Sequence, residues 1–221
     1  MSCAGYDFWL LDLDGTLVDV EQSYIYEVFD SIGKRLGVTF TDRESELVWY
    51  GIGEARNDLL AEKGVEPERF WEVFHRVEDA TRRARATFLY EDASALVPSL
   101  SGPVGVVTHC QEHLAGPVLS ALDIADWFDT VVCCTDETGW KPDPRPVRKA
   151  MAELGVDDEQ SGVLVGDDPQ DIGAAQNAGL DAVHVRRRAY DRLSPSLRDG
   201  GSFSSMGADE RVSSLAELAS V

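Results

Sequence analysis

Beyond residue 92 the chain repeats one local theme: a short, unbroken apolar run, a polar turn, then a stretch with helical spacing. The apolar runs are 104–107, 130–133, 162–165 and 182–185, and the helical stretches are 112–122, 144–154 and 170–178. Runs that do not alternate with polar residues are what strands buried on both faces require. Strands separated by helices pair in parallel, because the helix carries the chain back across the sheet. A further run at 6–11 opens the chain in the same way. The expected fold is therefore α/β, a Rossmann-like parallel sheet with helices on both faces. Sites in such sheets form at the carboxyl ends of the strands.

Between the first run and the second the texture differs. Tyr24, Val28, Ile32 and Leu36 recur at helical spacing, and Gly37 is a helix stop. Further helices are expected at 44–50, 54–63 and 67–87, with Pro67 in a first turn and turns at 51–53 and at Lys63-Gly64. The block 21–87 reads as wholly helical, an insertion into the α/β core. Near the end, 199–207 reads as a mobile Gly/Ser-rich loop and 213–218 as a closing helix. No internal repeat is present.

The charge balance removes some partners. Forty acidic residues face twenty basic ones, a formal net charge of −20. A field of that sign opposes binding to nucleic acid or to an anionic membrane. Sixteen of the basic residues are Arg and four are Lys. Two readings stay open: a simply acidic, soluble chain, or one from a salt-rich cytoplasm; the scarcity of Lys favours the second. No apolar run approaches the roughly 20 residues needed to span a bilayer. No basic patch precedes an apolar stretch at the N-terminus, so no secretory signal is read there. Cys3, Cys110, Cys133 and Cys134 form no C-x-x-C pair and read as reduced thiols. A cytoplasmic location is expected.

The polar residues with chemical potential fall at the strand ends. Asp12 and Asp14 follow the first run and, two residues apart in extended chain, point the same way beside Gly15. Two carboxylates that close call for a cation or a shared proton, and a hard cation such as Mg²⁺ suits oxygen ligands; the plain alternative is an acidic loop in an acidic protein. Thr108 ends the second core run, Lys141 follows the third, and Asp167, Asp168 and Asp171 follow the fourth. Each has a plain structural alternative: Thr108, Asp167 or Asp168 as a helix cap, Lys141 as a solvated loop residue. Together they form a metal-and-phosphate constellation.

These segments, in this order, resemble those of the haloacid dehalogenase superfamily of phosphatases. Asp12-Leu13-Asp14-Gly15-Thr16-Leu17 matches its D-x-D-G-T motif, and Gly166-Asp167-Asp168-Pro169-Gln170-Asp171 its last acidic motif. The resemblance spans nearly the whole chain. It implies a core of residues 1–17 and 92–221 and a helical cap of residues 18–91. It also implies that Asp12 attacks phosphorus to form an aspartyl-phosphate. Asp14 would act as acid and then base, and Mg²⁺ would bind the Asp12 side chain, the Asp14 carbonyl and Asp167. Thr108 and Lys141 would bind phosphoryl oxygens, and Asp171 would hold Lys141 or metal-bound water. His109 and Asp168 depart from the usual residues. His109 is a phosphate-binding or pocket-rim candidate, and Asp168 is a metal-supporting or helix-capping one. Arg56, after Gly51-Ile52-Gly53, resembles a cap-loop residue that grips a substrate anion; the alternative is a surface arginine. His75 reads as cap packing.

Within the resemblance, Asp14 points to phosphomonoesters, since halide-displacing members lack a second aspartate here. The cap lysines Lys34 and Lys63 are poorly placed for phosphonate cleavage. The size and position of the cap resemble the phosphoglycolate phosphatase branch. The expectation is hydrolysis of a small phosphorylated metabolite. A sugar-phosphate mutase and a non-catalytic binding protein on the same fold stay open.

Overall fold

The structure, a computed structural model, describes residues 5–50, 54–187 and 207–218. The turn expected at 51–53 and residues 199–206 of the expected loop lie outside them. The first strand is β1 (Phe8–Leu11), followed by β2 (Val18–Val20). Five helices come next: α1 (Gln22–Leu36), α2 (Asp42–Tyr50), α3 (Glu54–Glu62), α4 (Pro67–Val77) and α5 (Ala80–Ala86). Then follow β3 (Thr87–Leu89), α6 (Glu91–Leu96), β4 (Val104–Thr108) and α7 (Glu112–Ala121). The chain continues through β5 (Thr130–Cys133), α8 (Arg145–Leu154), β6 (Gly162–Gly166), α9 (Pro169–Ala178), β7 (Asp181–Val185) and β8 (Glu210–Val212).

Six strands form one parallel sheet in the order β5-β4-β1-β6-β7-β8. This is the α/β sheet the apolar runs predict. The most apolar run, β1, is central, hydrogen-bonded to β4 on one side and β6 on the other. Alternation along each strand divides its side chains between two layers. Trp9, Leu11, Val104, Val106, Val163 and Val165 pack on one face with Leu96, Ala115 and Leu119 from α6 and α7. Phe8, Leu10, Val107 and Leu164 pack on the other with Val147 and Met151 of α8 and Ile172 and Ala175 of α9. All parallel strand ends therefore open on one edge, where β1, β4, β5 and β6 deliver the predicted polar residues.

The helical insert has its own apolar cluster, built from α1 to α4. Phe29 is central: its ring lies 5.2 Å from Phe40, 5.9 Å from Phe70 and 6.5 Å from Phe74. Helix α1 ends at Gly37, whose φ of 73° closes it in the left-handed region open to glycine. The insert is not helical to its edges. β2 and β3 pair antiparallel and join it to the sheet domain; each has three residues, too short to show a period. The single helix expected at 67–87 is two. Glu78 and Asp79 are extended, and the Asp79 side chain accepts a hydrogen bond from the Arg82 amide, an N-cap that restarts the helix as α5. The closing helix expected at 213–218 is a single 3-10 turn at Leu215–Glu217, preceded by the unforeseen β8. No helix among the described residues is long and apolar enough to cross a membrane.

Candidate active site

β1 delivers Asp12 to the open edge of the sheet. The Asp12 amide donates to the Val165 carbonyl at 2.9 Å, so the turn is pinned to β6 as it leaves the sheet. Gly15 then folds back, its amide 2.8 Å from the Val18 carbonyl, with φ at 85°. A Cβ on Gly15 would stand 2.4 Å from Asp167 Oδ2. Glycine is thus what lets the two acidic turns touch. Thr16 Oγ1 completes the junction, 3.3 Å from Asp167 Oδ1.

Lys141 reaches this point from the loop after β5. Its Nζ donates to Asp12 Oδ1 at 2.7 Å and to the Val107 carbonyl at 2.9 Å, and lies 2.5 Å from Asp171 Oδ1. The side chain is buried. Burial alone would disfavour the ammonium, but Asp12 and Asp171 outweigh it and leave its pKa raised. The alternative of a solvated loop lysine is therefore excluded.

Asp12, Asp167 and Asp171 each bring an oxygen to within 4.8 Å of the others. Three carboxylates meet one ammonium, with little water to share the surplus charge. Burial pushes the Asp12 carboxyl up; Lys141 opposes it, while Asp171 and Asp14 add to it. Asp167 is raised well above its usual range by burial, by Asp12 and by Asp171. A buried all-oxygen cluster with more carboxylates than cations fits a hard divalent ion. Asp12 and Asp167 are in this cluster together with Asp171; the side chain of Asp14, whose expected ligand atom is the backbone carbonyl, is not.

Asp168 and Asp171 also begin α9. Asp168 accepts from the Gln170 amide at 2.8 Å, and Asp171 Oδ2 accepts from the Asp168 amide at 3.0 Å, a reciprocal capping box. Asp168 is thus a helix cap, its carboxyl pushed up to about 6 by burial and by Asp171. Gly166 allows the geometry, for a Cβ there would lie 2.3 Å from the Asp171 carboxylate.

Thr108 is buried at the end of β4, where its Oγ1 accepts from the Cys110 amide at 3.0 Å. His109 lies with its ring 5.6 Å from that of Trp140, and its Nε2 has no hydrogen-bond partner among the described residues. Burial, Lys141 and Arg56 together lower its pKa to about 3, so the imidazole is neutral. Arg56, near the start of α3, packs its guanidinium 5.1 Å from the Trp71 ring centre. Burial lowers its pKa, and Asp168 opposes that shift. The charge of Arg56 thus acts on both Asp168 and His109, and its Nε has no partner among the described residues. That places Arg56 against the core site rather than on an outer surface. His75 lies in the insert, 6.1 Å from the Trp71 ring, as a packing residue would.

Sequence reasoning passes over Arg83. Its Nη2 donates to Asp14 Oδ1 from helix α5. Arg82, Arg83 and Arg85 look alike in sequence, and nothing in their spacing says that only one of them turns inward.

Comparisons with known proteins agree with this fold. The family model described as haloacid dehalogenase-like hydrolase matches residues 9–185. Pyrophosphatase PpaX of Bacillus velezensis is 31% identical over 178 residues, covering 80% of this chain and 81% of its own. The plasmid phosphoglycolate phosphatase of Cupriavidus necator is 30% identical over 224 residues, covering 95% of this chain and 90% of its own. The crystal structure of CbbY from Rhodobacter sphaeroides in complex with phosphate superposes with a TM-score of 0.70 over 96% of each chain, a likeness of fold at 21% identity. With a match that runs from β1 through β7 and takes in every strand end of the site, the chain belongs to the haloacid dehalogenase-like hydrolase family.

Proposed function

We propose that this chain is a magnesium-dependent phosphatase that hydrolyses a small phosphomonoester, phosphoglycolate among the candidates, through an aspartyl-phosphate on Asp12. The observation that carries the reading is the buried meeting of Asp12, Asp167 and Asp171 around the Lys141 ammonium. Lys141 holds one oxygen of Asp12 and leaves the other to attack phosphorus. Covalent capture divides one difficult displacement into two easier ones. Asp14 gives a proton to the departing ester oxygen, then takes one from the water that releases phosphate. Thr108 and Lys141 bind phosphoryl oxygens, and His109, neutral at physiological pH, lines the same pocket. Asp171 fixes Lys141, and Asp168 fixes Asp171 through the capping box.

The Asp12 and Asp167 side chains and the Asp14 carbonyl would hold Mg²⁺, which when bound neutralises charge that the carboxylates and phosphoryl group cannot share. We assign residues 1–17 and 92–221 to the core domain and 18–91 to a helical cap. Arg56 on that cap is positioned to grip a second anionic group of the substrate, a task its planar fork suits. The relatives named phosphoglycolate phosphatase support such a substrate, and the relative named pyrophosphatase adds pyrophosphate to the compounds worth testing. The partner is a small phosphorylated metabolite rather than nucleic acid or membrane, and the location cytoplasmic.

The test is release of phosphate from p-nitrophenyl phosphate with Mg²⁺, in dilute buffer and in molar KCl, then from a panel of phosphoglycolate, pyrophosphate and hexose phosphates. Turnover should vanish on chelation and in Asp12→Asn. Folded protein that turns over nothing in either salt would remove the enzymatic reading, and full activity in Asp12→Asn would remove Asp12 from its role.

A further inference from the structure

Asp14 stands on a core loop, yet the hydrogen bond that orients its carboxylate comes from the cap. Arg83 projects from α5 and is 3% exposed. Its Nη2 donates to Asp14 Oδ1, and its Nη1 lies 3.6 Å from Glu78 Oε1. Glu78 in turn accepts from the Tyr24 hydroxyl at 3.2 Å. The Trp49 ring centre lies 5.1 Å from the guanidinium carbon, and the Tyr24 ring centre 5.8 Å. Glu78, Tyr24 and Trp49 all belong to the insert. Apart from Asp14 and the nearby Cys110 of the core, the insert supplies the surroundings of the guanidinium: a carboxylate for the charge and aromatic faces for the plane. What the cap leaves pointing outward is directed at Asp14.

We propose that Arg83 is a positioning residue for Asp14, and that it makes the placement of the acid–base group conditional on the cap being seated. The inference rests on the phosphatase reading above. With Oδ1 held by Arg83, Oδ2 is the oxygen that faces the ester. In the first half-reaction an Asp12 oxygen bonds to phosphorus, the phosphorus–ester oxygen bond breaks, and the Asp14 proton passes to the departing oxygen. In the second half-reaction Asp14 takes a proton from water, the water oxygen bonds to phosphorus, and the bond to Asp12 breaks. The proton given is recovered, and Asp14 must be in register both times. A cap that lifts takes Arg83 with it and leaves the carboxylate free to turn. Chemistry is thereby tied to the closed state, in which bulk water is kept out.

A positioning role differs from cap–core adhesion in what it does to different leaving groups. Arg83→Met and Arg83→Lys should be compared on an alkyl phosphate, whose leaving oxygen needs a proton, and on 2,4-dinitrophenyl phosphate, whose leaving group does not. Phosphorylation is read in a single turnover, and kcat and KM in the steady state. Arg83→Met should lower kcat on the alkyl ester by about 100-fold, the scale of one acid–base contribution, with KM little changed. Phosphorylation by the dinitrophenyl ester should fall far less, and Arg83→Lys should recover part of the loss. In an Asp14→Asn background, Arg83→Lys should cost nothing further. Equal losses on both esters, a change in KM alone, or additive losses in the double variant would overturn the proposal. Should Arg83→Met not fold, the Arg83→Lys comparison in the two backgrounds decides alone. A wild-type protein inactive on every phosphoester would instead be a failure of the phosphatase reading itself.

Discussion

Gly15 is constrained twice over, once by its own backbone and once by its neighbour. At a φ of 85° an alanine is strained, and its Cβ would stand 2.4 Å from an Asp167 carboxylate oxygen. Backbone strain of that kind costs about 1–3 kcal/mol. Displacing Asp167 also opens the carboxylate cluster. Gly15→Ala should therefore lower the unfolding free energy, read by urea titration, by an amount in that range and weaken Mg²⁺ binding, read by titration calorimetry. Unchanged metal affinity would mean that Asp167 is not a ligand. At this scale much of the site is legible in the sequence. Asp12, Thr108 and Lys141 declare themselves because each ends or closely follows an apolar run, and strand ends converge in a parallel sheet. Asp168 could be read as a cap from the proline after it and the acid three residues on. Arg83 could not be read, because its partner lies 69 residues away and its helix shows no apolar stripe to fix a face.

The junction between insert and sheet domain carries more polar structure than its short strands suggest. Arg187, just beyond β7, grips Asp92 with both terminal nitrogens, at 2.7 and 2.9 Å, and donates to the Thr16 carbonyl at 2.7 Å. One guanidinium thus ties the start of α6 to the turn that carries Asp14. Asp19 on β2 accepts from the Tyr90 hydroxyl at 2.8 Å and the Tyr50 hydroxyl at 3.2 Å. None of this was legible, because each contact joins residues whose closeness depends on the tertiary fold. The helices of the insert were legible from period alone, but the break at Glu78-Asp79 was not. That break has a measurable consequence. It places Glu78 in the buried pocket around Arg83, where burial raises its pKa to about 6, against the opposing Arg83 charge. A carboxyl with a raised folded-state pKa favours the native state below its unfolded value of 4.5. The advantage is lost as pH rises through about 6. The shift corresponds to about 2 kcal/mol. Glu78→Gln should remove this part of the pH dependence, so that the variant equals or exceeds the parent in urea midpoint at pH 7 but not at pH 4.5. A variant less stable at pH 7 would mean that the attraction between Glu78 and Arg83 outweighs the cost of burying the Glu78 charge.

Across the whole molecule the charge is arranged in two opposed patterns. The chain carries −20 overall, yet Lys141, Arg83 and Arg56 are each set toward an acidic residue of the candidate site, Asp12, Asp14 and Asp168 respectively. On the proposed function, a phosphorylated metabolite would thus be repelled at long range and held at short range. Salt separates the two effects, because the screening length is about 10 Å at 0.1 M and about 3 Å at 1 M. Exposed carboxylates tens of ångströms apart lose their mutual repulsion at molar salt, while oppositely charged pairs such as Lys141 with Asp12, at 2.7 Å and buried, keep most of their attraction. Raising KCl from dilute buffer to 1 M should therefore raise the thermal midpoint, and NaCl should do nearly the same, since screening depends on ionic strength and not on the ion. KM for an anionic substrate should fall over the first part of that range, as the repulsive field collapses before the short-range contacts weaken. If the thermal midpoint is flat or falls with salt, the surface charge is not limiting stability and the acidic composition has some other cause. If the midpoint rises while KM climbs from the lowest salt upward, the pocket's positive charge governs substrate capture even at long range, and the outer field is too weak to matter.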